Sequence, residues 1–545
     1  MKSQFILFSF LVLLVCHTKA QQTVGLFINS SDAFEGYTLF APINSNETYL
    51  IDNCGEKVHS WSSDYRPGLS CYLLEDGTLL RRGRVVSMGE VSGIVEMIDW
   101  EGNVIWDYSA FATHGKQHHD IELLPNGNIL LIVNDERPAS ELEAAGSATN
   151  NASIISEQII EIEPNLLTGE TTVVWEWKAF DHIIQDVDSN KPFFGVVAEH
   201  PERIDINFLD HSNSDWLHFN AVDYNEEFDQ IILSSRTFSE FWIIDHSTTT
   251  SEATGSTGGR YGQGGDLLYR WGNPRAYDQG TQSDRKLFFQ HDTHWIPNGH
   301  VDAGKILLFN NQAGTPEAQD YSTVNIVDIP VDADGFYVYN GDAYGPQDFD
   351  WTYQADIPTD FFSKFISGVQ RLENGNTLIC EGLTGRVFEI DENDNVVWEY
   401  INPVNNIGAI AQNTIAQNNN VFRCMKYATD YSAFDDKVIL PQGYIESGST
   451  FECSDVTAVE DNIEIIDFAV SILPNPTSDY LRIQVDGDIN PSQINGIKIY
   501  DLNTSLVYQS QFVEDLIDVN KLPSGIYVVQ FDFGNQMVTK KLCIQ

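Results

Sequence analysis

Three histidines occupy one repeated place in the chain. His119 stands six residues before Pro125, His291 six before Pro297, and His218 six before Tyr224. Imidazole is neutral near physiological pH and can serve as nucleophile, acid or base. Thirteen histidines in 545 residues would seldom fill three equivalent places by chance. The same place holds Leu69 and Ser367 in two other copies of the pattern. Arg236 closes IILSSR, the leg that returns from the one beginning at His218, so a hairpin sets the two side by side. Its planar fork of donors suits a tetrahedral oxyanion. Convergence of His119, His218, His291 and Arg236 would make a small basic pocket for a group carrying charge on oxygen. The remaining histidines downstream, His118, His182, His200, His211, His246, His294 and His300, have no comparable phase. They are read as structural or loop residues, with His182 in FDHIIQD best placed to approach the site from the insert at 178–214. No CxxC or His/Cys cluster has metal-site spacing, so neither metal nor cofactor is expected.

The elements that must position these residues come from an internal repeat. A strand ends in a polar corner, and the next strand ends in tryptophan: TYLIDNCGEKVHSW to Trp61, IVEMIDWEGNVIW to Trp106, IIEIEPNLLTGETTVVW to Trp175 and VFEIDENDNVVW to Trp398. Looser copies end at Trp271 and Trp351. Between them recurs a second hairpin, as in HDIELLPNGNILLI, SGVQRLENGNTLI and CYLLEDGTLL, whose Asn-Gly or Asp-Gly turn is a strong hairpin signal. Two hairpins per copy predict a four-stranded antiparallel unit. Six copies predict an all-β, six-bladed β-propeller in which equivalent positions are related by rotation about the axis. The tryptophans would pack between blades, and VFRCMKY and DYSAFDDKVI would supply the last strands. From 456 onward, ILPNPTSDYLRIQV, IKIYDLNTSLVYQ and GIYVVQF predict a separate small β-sandwich. The expected domains are a signal peptide at 1–20, the propeller at 21–455 and the sandwich at 456–545.

The formal net charge of −49, from 30 basic and 79 acidic residues, excludes nucleic acid and anionic lipid as natural partners. Lys2, an apolar stretch at 5–15 and Thr18-Lys19-Ala20 predict an exported chain cleaved after Ala20. No later stretch is apolar enough to span a bilayer, so the mature protein is expected to be soluble. Cys16 would leave with the signal, and Cys543 lies in the tail. A bond between Cys54 and Cys424 would staple the two ends of the repeat region; Cys71, Cys380 and Cys453 leave other pairings open.

The ordered set GYTLF, QHHDIELLPNGN, WEWKAFDHIIQD, DWLHFNAV through ILSSR, IIDHST, LLYRWGNP, QHDTHWIPNG and VFRCMKY resembles the arylsulfotransferase family. These are bacterial propeller enzymes that move a sulfuryl group between phenols without PAPS, and the resemblance covers 36–446. It implies a transiently sulfated histidine falling on His291, with His119, His218 and Arg236 holding the sulfuryl oxygens, and a phenolic sulfate donor and phenolic acceptor as substrates. The tail from PNPTSDYLRI to the end is similar to C-terminal sorting domains of the type IX secretion route. That implies the secretion machinery as a partner and a secreted or cell-surface location. Two other readings are open. One is a non-catalytic surface propeller that binds glycans or protein. The other is a quinoprotein-like enzyme, which would want the adjacent cysteines that this chain lacks.

Overall fold

The computed structural model describes residues 22–544, apart from 86–92, 150, 209–213, 315–319, 450–452 and 454–468 and, in the tail, 474–476, 478–479, 487–495, 502–505, 511–515 and 533–536. The expected signal segment and the expected boundary at 455/456 lie outside the described residues. Contacts divide the chain into two compact units, Met1–Ala458 and Val459–Gln545.

The first unit is all-β. Its described strands form six antiparallel sheets of four strands, one of them extended to five, and two short two-stranded pairs. Five sheets each take four consecutive strands: Arg66–Leu73 to Val104–Tyr108, Gln117–Leu123 to Thr171–Lys178, Phe219–Asn225 to Tyr269–Trp271, His291–Trp295 to Trp351–Tyr353, and Gly368–Arg371 to Val396–Ile401. The sixth joins both ends of the unit: Val421–Ala428, which is VFRCMKY and one more residue, pairs with Gly36–Pro42. A second end-to-end contact comes from Gly25–Asn29, which adds itself to Val396–Ile401. DYSAFDDKVI is no strand. It forms a short 3₁₀ turn at Ser432–Phe434, whose Phe434 packs against Tyr37 and Trp100.

Central strands are apolar on both faces because a neighbouring sheet covers each. All of Ile129–Val133 has no exposure at all. The hairpin turns work through glycine: Gly127 takes φ 87°, and its N–H bonds to the Leu124 carbonyl at 2.9 Å. The recurring tryptophans bind one sheet to the next. The indole N–H donates from Trp61 to Asp99 O at 3.1 Å, from Trp106 to Thr171 Oγ1 at 3.2 Å, and from Trp175 to Thr248 Oγ1 at 3.2 Å. It donates from Trp271 to Pro346 O at 2.7 Å and from Trp398 to Asn53 O at 2.9 Å. Trp351 instead lies under the Arg371 guanidinium. Each reaches the sheet that follows in the chain, and Trp398 reaches back to the one holding the N-terminal strands. The indole N–H is thus satisfied at five of the six steps.

The disulfide differs from the expected staple. Cys54 bonds to Cys453, 399 residues away, with Cα atoms 5.2 Å apart. Cys54 sits in an outer hairpin turn, whereas Cys424 lies buried on the innermost strand beside Cys380, Sγ to Sγ 3.7 Å. No helix among the described residues is long and apolar enough to cross a membrane. In the second unit, two sheets of three and four strands enclose one apolar core, which includes Ile483, Ile499, Val529 and Leu542.

Candidate functional site

A β-bulge positions the candidate residues. In the strand Gln117–Leu123, Gln117 pairs with Val133 and Ile121 with Leu131, so His118, His119 and Asp120 all stand opposite Ile132 alone. The same break recurs at 68–70, at Asn220 and at 292–293. Left-handed backbone recurs at this place, with φ 56° at the bulged His119 and 50° at His218, which directly precedes its strand. Leu69 and Ser367 have φ 105° and 91°, while near His291 the left-handed residue is its neighbour, Asp292, at 55°. Such a residue costs about 1–3 kcal/mol, and the bulge re-aims its side chain out of the sheet. Leu69, in its own bulge, and Ser367, just before its strand, take left-handed backbone without an imidazole, so the conformation is a property of the architecture that the histidines exploit.

The structure brings the four residues together. The rings of His119 and His218 lie 4.7 Å apart, and His119 and His291 flank Phe422 at 6.3 and 6.5 Å. Arg236 donates its backbone N–H to the His218 carbonyl at 3.3 Å, as the hairpin argument requires. Its guanidinium lies over the Phe289 ring at 4.9 Å and close enough to His291 to disfavour a second positive charge there. Among the described residues, that guanidinium makes no hydrogen bond.

Among the described residues, His119 and His218 are held by one ring nitrogen and His291 by both. His291 donates from Nδ1 to Asn311 Oδ1 at 2.7 Å and to the Phe289 carbonyl at 3.1 Å; its Nε2 lone pair therefore accepts, from the Ile366 N–H at 3.2 Å. The His218 Nδ1 meets Asp215 Oδ2 at 2.5 Å, and no described residue bonds its Nε2. The His119 Nδ1 lies 2.8 Å from His118 Nδ1, and no described residue bonds its Nε2. Burial, and then the nearby Arg236, push the His291 pKa down to about 3. Burial, and then the neighbouring His218, His118 and His291, hold His119 well below its ordinary value. Both rings therefore stay uncharged at neutral pH. Burial alone would raise Asp215, yet its bond to His218 and the charges nearby hold it below the usual carboxylate range.

Directly behind lies a closed ionic layer. The Arg423 Nη1 bonds Asp120 Oδ2 at 3.0 Å and the Tyr72 hydroxyl at 2.5 Å, and its Nε lies 2.8 Å from Asp292 Oδ1. Tyr72 donates to Asp120 at 2.8 Å, and Asp292 accepts the Val369 N–H at 2.7 Å. A cavity of about 450 Å³ opens at the turn end of the strands, beside Glu75, Pro297 and Glu373. It holds His294 and His300 and none of the four residues above.

Two expectations about the other histidines fail. His182 does not approach the site: it is fully buried, stacked on Trp177, and bonded to Asp266 Oδ1 at 2.7 Å and the Ala253 carbonyl at 2.8 Å. His118, unphased in sequence, is in direct contact with His119, because the bulge turns both neighbours into the same buried space. Asp215, Asn311, Glu157 and Arg423 also escaped notice. Asp215 offered a signal, three residues before His218; Glu157 sits on a different strand and offered none.

A family model described as arylsulfotransferase (ASST) matches residues 43–423, and one described as a secretion system C-terminal sorting domain matches 471–545. No curated protein matches the chain. Among solved structures, a protein of unknown function from Bacteroides caccae is 13% identical over 72% of this chain and 98% of its own, with a TM-score of 0.39. Virginiamycin B lyase from Staphylococcus aureus is 10% identical over 70% and 87%, with a TM-score of 0.34. The Cps50 (Swd1) beta-propeller domain of Myceliophteria thermophila is 9% identical over 71% and 88%, with a TM-score of 0.35.

Proposed function

Because the chain belongs to the arylsulfotransferase family, we propose that it transfers a sulfuryl group from an aryl sulfate to a phenolic acceptor, without PAPS, on a six-bladed β-propeller. The observation that carries the reading is the Arg236 guanidinium, with no hydrogen bond among the described residues, beside the converging imidazoles of His119, His218 and His291, of which His119 and His291 are held uncharged, in a protein of net charge −49. An anionic sulfate ester would find its positive partner at Arg236, and a neutral imidazole beside it can attack.

In the first half-reaction the His291 Nε2 gives up the Ile366 N–H and attacks sulfur in line. The N–S bond forms as the S–O(aryl) bond breaks, and the phenolate leaves with its electron pair and takes a proton. Arg236, His119 and His218 hold the peripheral oxygens, where charge accumulates in such transfers. Asn311 keeps the proton on Nδ1 and so keeps the lone pair on Nε2. In the second half-reaction an acceptor phenol loses its proton and attacks sulfur, and the N–S bond breaks. Two successive displacements give ping-pong kinetics.

One observation favours a different nucleophile on the same site. The His218 Nδ1 is backed by Asp215 and its Nε2 meets no described residue, the arrangement by which a carboxylate orients an imidazole. His218 then attacks and His291 binds oxygen.

Residues 471–545 are a type IX sorting domain. On that basis we place the site of action on or outside the outer membrane, with the secretion machinery as partner. The purified protein is expected to consume nitrophenyl sulfate and sulfate one or more members of a phenol panel with no PAPS present. Failure to consume any aryl sulfate would contradict the proposal.

A further inference from the structure

Glu157 and His118 form a chain that ends on His119. The Glu157 Oε2 lies 2.8 Å from His118 Nε2, and His118 Nδ1 lies 2.8 Å from His119 Nδ1. Both supporting side chains are buried, at 1% and 5% exposure. Three groups with two hydrogen bonds between them admit two proton arrangements. With the proton on Glu157, His118 must accept at Nε2 and donate at Nδ1, so His119 accepts at Nδ1 and presents an Nε2–H. With the carboxylate ionised, His118 donates at Nε2 and accepts at Nδ1, so His119 donates at Nδ1 and presents an Nε2 lone pair. The two arrangements differ by one proton at the pocket.

Resting on the sulfuryl-transfer reading, we propose that Glu157 and His118 are positioning residues of a buried proton relay that lets His119 alternate between acid and base in the two half-reactions. When the S–O(aryl) bond breaks, the His119 Nε2–H proton passes to the departing phenolate oxygen. The His118 Nδ1 proton moves to His119 Nδ1, and the Glu157 proton moves to His118 Nε2. The relay is left with an ionised Glu157 and a basic His119 Nε2. The acceptor phenol then gives its proton to that nitrogen as it attacks sulfur, and the three transfers run backwards. One proton leaves with the first phenol and one is recovered from the second, so no outside acid or base enters the cycle.

The surroundings suit a relay that stores a proton on carboxyl. Burial, and next the nearby Asp215, push the Glu157 carboxyl well above its ordinary range. Burial, and next Arg82, push His118 down to about 3, so it relays protons without holding an extra one. The groups that face the chain are Arg82 from the preceding sheet, Asp135 on the adjacent strand, Asp215 and His218 from the next sheet, and His291 across the pocket.

The test compares the full-length protein with Glu157→Gln and His118→Asn, using aryl sulfates of graded leaving-group basicity. A leaving group that needs no protonation, such as nitrophenolate, should depart within about 3-fold of the wild-type rate, whereas unsubstituted phenolate should depart ~10²-fold more slowly, the usual worth of general acid catalysis. A merely structural role would slow every donor alike. Glu157→Asp should restore part of the loss for the basic leaving group. Nitrogen NMR of histidine-labelled protein supplies a readout that needs no turnover: His119 should change tautomer as pH rises in the wild type and stay Nε2-protonated in Glu157→Gln. Parallel leaving-group lines with a pH-invariant His119 overturn the relay while leaving sulfuryl transfer standing. A His119 that switches in a protein that cleaves no aryl sulfate supports the relay and removes the reaction assigned to it.

Discussion

The histidine layer and the carboxylate layer behind it are built from the same two short motifs, QHHD and QHD. His119 and Asp120, like His291 and Asp292, are chain neighbours that a bulge turns in different directions. The aspartates close on Arg423 at 2.8–3.2 Å, through hydrogen bonds from Nη1 to Asp120 and an ion pair from Nε to Asp292, while Nη2 makes no hydrogen bond among the described residues. The histidines are anchored through Nδ1, and the Arg236 guanidinium beside them makes no hydrogen bond to a described residue. A buried charge held between opposite charges fixes structure, and removing it leaves those charges stranded. A donor left without a partner costs stability and is worth keeping only where something else arrives to fill it. The difference therefore separates the residues expected to control rate from those expected to control stability, although they adjoin in sequence.

The largest effect should come from His291→Gln. It should remove turnover by ~10⁴-fold or more, the scale on which loss of a nucleophile operates. Thermal unfolding should shift little, because an amide can still meet Asn311. A large loss of stability would erase the distinction between the layers.

Arg423→Met should do the reverse. Stranding Asp120 and Asp292 should cost about 3–5 kcal/mol in urea unfolding. The triple variant with Asp120→Asn and Asp292→Asn should recover much of that. The pH dependence sharpens the point. Burial would raise Asp292, but Arg423, His294 and the Val369 N–H together outweigh it and hold the carboxyl below its ordinary 3.8. A depressed folded-state pKa stabilises above the unfolded value and is lost as pH falls through the folded one. Wild-type stability should therefore drop as pH falls below about 3.8, and Arg423→Met should lose this part of the slope.

Arg236→Ala should lower turnover ~10²-fold, as loss of one oxyanion donor does. Its unfolding midpoint should stay near wild type, since its guanidinium makes no described hydrogen bond to lose. Arg236→Lys should recover part of the rate.

The fold was legible where it repeats. The tryptophan corners and Asn-Gly turns mark strands locally, and VFRCMKY, expected among the last strands, pairs with Gly36–Pro42. DYSAFDDKVI was misread: its clustered aspartates suit a turn, and the strand next to it already completes the sheet. The histidine phase was visible because the bulge keeps a fixed distance from the hairpin turn. Partnerships between strands were not visible. Glu157 meets His118 only through the register of two strands, and Cys453 meets Cys54 only through the path of the chain after the last sheet. His182 in FDHIIQD had the composition of a site residue, but its neighbour in space is Trp177, which no sequence spacing announces.

Mapping the covalent intermediate tests the central claim most directly. Wild-type protein incubated with an aryl sulfate alone, quenched in base and digested, should yield a peptide containing His291 that carries one added sulfuryl group on histidine, and an acceptor phenol added before the quench should discharge it. A sulfated peptide containing His218 instead, or donor consumption with no sulfated peptide at all, would contradict the assignment of His291.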